Sequence, residues 1–167
     1  PIQINESFSA FNPRLKLSAD GTRLAIGNIW GGDNTAGTSP DGEVLVYEYE
    51  NGSWNQIGNS ITFTEDDYQE YLYYFGWSIC ISGDGDTLAV GTPTYDDSKG
   101  LIKIYDWDNE NDDWEQTSRF AGSDISALGY DLDISNDGNV LIAGARLSDF
   151  NYPGAAKVYE RGNDGFR

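Results

Sequence analysis

The chain has 167 residues, with 28 Asp+Glu against 10 Lys+Arg, no His, no Met and one Cys, for a formal net charge of −18. That balance argues against nucleic-acid binding through phosphates, and the missing His and lone Cys80 exclude His-based nucleophilic triads, His-ligated zinc and internal disulfides. No apolar run approaches the roughly 20 residues of a membrane span, so no membrane insertion is expected; 14% aromatics and 20 Gly fit neither an acidic disordered tail nor a helical bundle.

In chain order, the first ten residues open on the strand-like Pro1-Ile-Gln-Ile4 and read as a strand completing a neighbouring unit. They also carry the sequon Asn5-Glu-Ser7. Residues 11–64 form the first unit, beginning with Phe11 to Gly27, FNPRLKLSADGTRLAIG. A loop follows, Asn28 to Asp41, in which Trp30 and Asp33 are candidate ligand contacts. The block Gly42-EVLVY comes next, then the sequon Asn51-Gly-Ser53 at an expected hairpin tip, then Trp54.

Residues 65–127 repeat the plan. The acidic, tyrosine-rich stretch Glu65 to Phe75 offers Tyr68 and Tyr71 as stacking platforms for a sugar or peptide, against a plainer reading as inter-unit packing. Phe75 to Gly91, FGWSICISGDGDTLAVG, then matches the first unit, and Gly100-LIKIY matches the second block. The turn Asp106 to Asp113 places Asp106, Asp108, Glu110 and Asp112 at alternate positions, a candidate set for a hard cation such as Ca²⁺, although EF-hand ligand spacing is missing. No other cofactor is implied. Residues 128–167 give the third unit: Leu128 to Gly144, LGYDLDISNDGNVLIAG, then Gly154-AAKVY and a closing Phe166.

Asp20-Gly21, Asp84-Gly85 and Asp137-Gly138 recur at steps of 64 and 53 residues, each between two runs of alternating apolar residues. That is the pattern of a strand, a tight turn and a return strand. With the later Tyr-ending block and the closing aromatic, each unit reads as a four-stranded antiparallel meander, the size of a propeller blade. The expected fold is all-β: three blades, forming either an incomplete propeller that is a piece of a longer precursor, or one completed by homo-oligomerisation, two copies giving six blades. The third unit reads as incomplete, because the chain stops where its fourth strand should begin.

Phe75-Gly76-Trp77-Ser78-Ile79, Leu88 to Pro93 (LAVGTP) and the Gly-x-[Ile/Val]-x-[Ile/Val]-Tyr block resemble the FG-GAP repeat of integrin α-type propellers. The first unit has Phe11-Asn12 and the third Leu128-Gly129 in place of Phe-Gly. The resemblance implies a propeller blade and an extracellular or cell-surface setting. Its calcium loop does not transfer, since Ser82-Gly83-Asp84-Gly85-Asp86 is too short to surround an ion. Together these readings lead to the expectation of a non-catalytic, secreted adhesion, protein-interaction or assembly module with a protein or glycan partner. A lectin-like propeller is the alternative, and a carboxylate glycoside hydrolase stands behind it.

Overall fold

The computed structural model describes residues 13–29, 42–63, 74–123, 126–146 and 154–167. They form three antiparallel sheets, arranged as blades of an incomplete β-propeller. The first sheet runs β1 (Arg14–Leu17), β2 (Arg23–Asn28), β3 (Glu43–Glu50), then β4 (Ser53–Gln56) and β5 (Ile61–Thr62). β4 and β5 lie end to end along β3, pairing with Tyr47–Glu50 and with Glu43 and Val44, so together they stand as one interrupted fourth strand. The second sheet is β6 (Ser78–Ile81), β7 (Thr87–Thr92), β8 (Leu101–Asp108) and β9 (Asp113–Ala121); a short turn, α1 (Tyr95–Ser98), joins β7 to β8. The third is β10 (Leu128–Ile134), β11 (Val140–Ala145), β12 (Ala155–Gly162) and a two-residue β13 (Gly165–Phe166).

The recurring Asp-Gly turns explain the first hairpin of each sheet. Ser18, Ser82 and Ser135 each donate a hydroxyl hydrogen bond to the Asp two residues on, and that carboxylate accepts the backbone N–H of Thr22, Asp86 or Asn139. Gly21, Gly85 and Gly138 then take the left-handed backbone that closes the turn. The three aspartates are turn staples.

The core lies between the sheets. Ile79, Ile81, Leu88 and Val90 of the second sheet pack against Ala25, Val44 and Val46 of the first. Cys80, Ala89, Ile102 and Ile104 pack on the other side, against Leu132, Ile134, Leu141 and Ala143 of the third. The Ser-Ile-Cys-Ile-Ser alternation of β6 suggests one buried face with Cys80 on the polar side. In fact Cys80 is 2% exposed, because this blade is covered on both faces. Among the described residues, no helix is long and apolar enough to cross a membrane.

Candidate functional site

In the acidic turn that suggested a cation site, Asp106 and Asp108 are held by protein partners. Asp106 lies on β8, and its carboxylate accepts two hydrogen bonds from the Arg161 guanidinium, at 2.7 and 2.8 Å, and others from Thr87 and Thr117. Burial opposes its charge, yet those donors and the charge of Arg161 outweigh burial and hold the carboxyl below its usual range. Asp108 accepts the N–H of Glu110 and the side-chain amide of Asn111, closing the turn on itself. Glu110 and Asp112 are exposed. Among the described residues, no group of three or more His, Cys, Asp or Glu side chains is placed to hold a metal ion.

Asn51 sits at the exposed tip of the β3–β4 hairpin with φ 53°. Trp54, Trp114 and Phe166 pack against the sheet clusters. Trp30, Asp33, Tyr68, Tyr71 and Asn5 lie outside the described residues.

A different group converges where the first strands of the three sheets meet. A cleft of about 400 Å³ is lined by Arg14, Leu15 and Lys16 of β1, Trp77, Ser78 and Ile79 at the start of β6, and Tyr130 and Asp131 of β10. A second cavity of about 360 Å³ shares Trp77 and Tyr130 and adds Tyr74, Pro93, Thr94, Ser98, Ala127 and Arg146. The Trp77 and Tyr130 rings lie 5.5 Å apart. The Arg14 guanidinium stands 5.4 Å over the Trp77 ring, and its Nε donates to the Trp77 carbonyl at 2.8 Å. Arg146 stands 5.4 Å over the Tyr130 ring, and its Nη1 donates to the Tyr130 hydroxyl.

These residues reach the cleft by the repeat itself. Trp77 and Tyr130 occupy one offset of the repeat, directly after Gly76 and Gly129, whose left-handed φ of 85° and 83° turns the chain into its first strand. Tyr74, Ser98 and Ala127 are also left-handed, at φ 52°, 67° and 46°, and all three line the second cavity. Non-glycine residues held there carry backbone strain of order 1–3 kcal/mol each, which neighbouring packing must hold in place.

The electrostatics set this region apart. Three of the chain's ten cations line the twin cavities, in a protein of net charge −18. Among the described residues, Arg14, Lys16 and Arg146 form no ion pair, and neither do Lys157 and Arg167, whereas Arg23 is paired with Glu48 and Asp86, Lys99 with Asp96, and Arg161 with Asp106. What distinguishes the first three is that they line the cavities. Cations without carboxylate partners, beside aromatic faces in an open cleft, are suited to an anionic ligand with an apolar surface. Among the described residues lining either cavity, Asp131 supplies the only carboxylate. The aromatic recurrence at 77 and 130 was a usable sequence signal. The gathering of Arg14 with Arg146, from opposite ends of the chain, was not.

No family model matches the chain, and no curated protein does. Solved structures do. A provisional 6-phosphogluconolactonase from Bacteroides uniformis matches with a TM-score of 0.60 and 21% identity, over 92% of this chain and 37% of that one. A second, from Bacteroides fragilis, matches with a TM-score of 0.60 and 18% identity, over 92% of this chain and 36% of its own. The chain thus shares a fold with just over a third of each neighbour's length.

These neighbours overturn the expectation of a non-catalytic adhesion or assembly module, and with it the reading that the chain is no enzyme. They are named as enzymes and not as adhesion proteins. The inference from missing His was too broad, since opening a lactone needs only water, a base and stabilisation of the developing oxyanion.

Proposed function

We propose that the chain contributes the twin cleft to a lactone-hydrolysing propeller enzyme acting on an anionic, phosphorylated sugar lactone. The observation that carries this reading is the set of three cations, Arg14, Lys16 and Arg146, which form no ion pair among the described residues and line the cavities around Trp77 and Tyr130 in an otherwise strongly acidic chain. The names of the solved neighbours supply the reaction class.

Each group has a role in that chemistry. The Trp77 and Tyr130 rings receive the C–H face of the sugar. Arg146, at the outer cavity, faces the phosphate, and Arg14 and Lys16 stabilise the oxyanion that develops on the lactone carbonyl. Asp131 takes a proton from water as the water oxygen bonds to the carbonyl carbon. The ring C–O bond then breaks, and the ring oxygen leaves as a hydroxyl carrying that proton back. Asp131, whose Oδ1 accepts the Leu132 N–H, makes no cross-blade latch, whereas Arg14 and Ser78, at the same offset in the first two units, donate to Trp77 and Gly129 carbonyls of the next blade. A carboxylate cannot make that latch.

The test is lactone hydrolysis in a pH-stat, corrected for the spontaneous rate, with δ-gluconolactone and its 6-phosphate as substrates. The phosphorylated lactone is expected to be preferred. Arg146→Ala should raise its KM about tenfold with little effect on the neutral lactone, and Asp131→Asn should lower kcat by about 10²-fold. No acceleration of either lactone above buffer would overturn the proposal.

A further inference from the structure

The two interfaces inside the molecule are built alike, and both halves of a third expose apolar side chains, although Ile26, Leu45 and Tyr47 on the first blade's half are buried. Each blade covers the preceding one with a pair of aliphatic residues on its first strand: Ile79 and Ile81 lie on the first blade, Leu132 and Ile134 on the second. The same offsets in the first blade are Leu15 and Leu17, which are 59% and 57% exposed. On the opposite face, Ala25 and Val46 receive the second blade, and Ala89 and Ile104 receive the third. Their counterparts in the third blade, Ile142 and Val158, are 47% and 60% exposed.

Two further features repeat at these interfaces. A methyl group added to Gly27 would come within 2.6 Å of the Gly76 carbonyl oxygen, and one on Gly91 would collide with that of Gly129, so each blade presses its neighbour's backbone onto a glycine. Gly144 holds the same place in the third blade, yet a methyl there would meet nothing closer than Asp131 at 3.6 Å. A rim hydrogen bond also steps from blade to blade: Ala19 N–H donates to Gly83 C=O at 3.0 Å, and Gly83 N–H to Asn136 C=O at 2.9 Å. The next donor in that series is the Asn136 N–H, and the Ala19 C=O is the acceptor that no described backbone N–H reaches.

We propose that the open face of the third blade (Ile142, Gly144, Val158 and the Asn136 N–H) docks the first blade of a second copy, through its Leu15, Leu17 and Ala19 carbonyl. The occupant follows from continuity with the interfaces already present. The chain carries both the receiving face and the covering strand, each a position-by-position repeat of an interface it makes internally. Such a contact is head to tail and closes only as a ring; two copies give six blades, within the usual four to eight. Two positions depart from the series: Ile142 is larger than Ala25 and Ala89 at its offset, and Asp131 does not donate as Arg14 and Ser78 do, so the latch at the inner edge is absent.

The test is sedimentation velocity of the full chain across a concentration series, at moderate and high salt because the −18 charge opposes association. The wild type is expected to form a dimer. Val158→Asp and Leu17→Asp, both at exposed positions, should each weaken it at least tenfold while circular dichroism stays native. Mixed in equal amounts, they should form a one-to-one complex, since one intact interface remains between them. Gly144→Val should fold, having open space, yet fail to associate. A wild type that stays monomeric at every concentration and salt would overturn the proposal. So would a Leu17→Asp chain that dimerises normally, which would mean two identical faces meet.

Discussion

The second and third blades share a strand plan but differ in how many faces they bury. In the second, every residue of β6 and β7 is buried. In the third, β11 alternates between exposed and covered residues, and most of β12 is open. The same repeat therefore yields a two-faced core element when flanked and a one-faced sheet at the end of the row. Position in the array, and not local pattern alone, decides what a residue contributes to stability.

The largest expected effect breaks that contrast directly. Leu88→Ala, in the second blade, should cost about 2–5 kcal/mol, because it opens a cavity in a fully buried site. Val158→Ala, on the open face of the third, should stay within about 0.5 kcal/mol at concentrations low enough to keep the chain monomeric. Urea unfolding of the two variants compares them, and equal losses would erase the distinction.

The seam between these blades comes next. Arg161 of the third clamps Asp106 of the second with two hydrogen bonds, and its Nε donates to the Gly138 carbonyl. Each partner keeps about a quarter of its side-chain surface in water, at 25% and 27%, so solvent screens the pair. Arg161→Ala should cost roughly 1–2 kcal/mol in a thermal melt, between the values usual for exposed and for buried pairs.

Cys80 sharpens the comparison chemically. Burial first, and the nearby Asp133 charge second, push its thiol up to about 12. A disulfide reagent at pH 8 should leave the native chain unmodified and react once urea unfolds it. Fast labelling of the folded protein would mean that the third blade does not cover the second.

The smallest effect is in the turns, where the Asp20 carboxyl is held down to about 2 by the Ser18 hydroxyl and then by Thr22. Asp137 is lowered by Ser135 and Asn139. For a carboxyl lowered on folding, the unfolded chain binds more protons between the two pKa values, so stability is full above the unfolded value and falls as pH drops through the folded one. The turns should thus loosen between about pH 4 and pH 2. Asp20→Asn should flatten part of that acid limb in pH-dependent melts.

Most of the architecture was legible in the residues. Asp-Gly between alternating apolar runs marks each first hairpin, and the Gly-to-Tyr block marks each third strand, since both are local consequences of turn geometry and strand period. Cys80 was misplaced because alternation presumes one covered face, and nothing within β6 says that a second sheet lies on the other side. The acidic turn drew attention through its carboxylates, yet Asp106 answers to Arg161, 55 residues away. The cleft was the hardest part to see. Trp77 and Tyr130 share an offset, but Arg14 and Arg146 join them only once three blades stand side by side.

If the cleft takes a phosphorylated sugar, calorimetric titration will separate 6-phosphogluconate from gluconate, which carries the carboxylate but no phosphate. The phosphorylated acid should bind at least tenfold more tightly, and Arg146→Ala should remove most of that preference while the melt stays native. Equal affinity for the two acids, or a preference that survives that substitution, would contradict it.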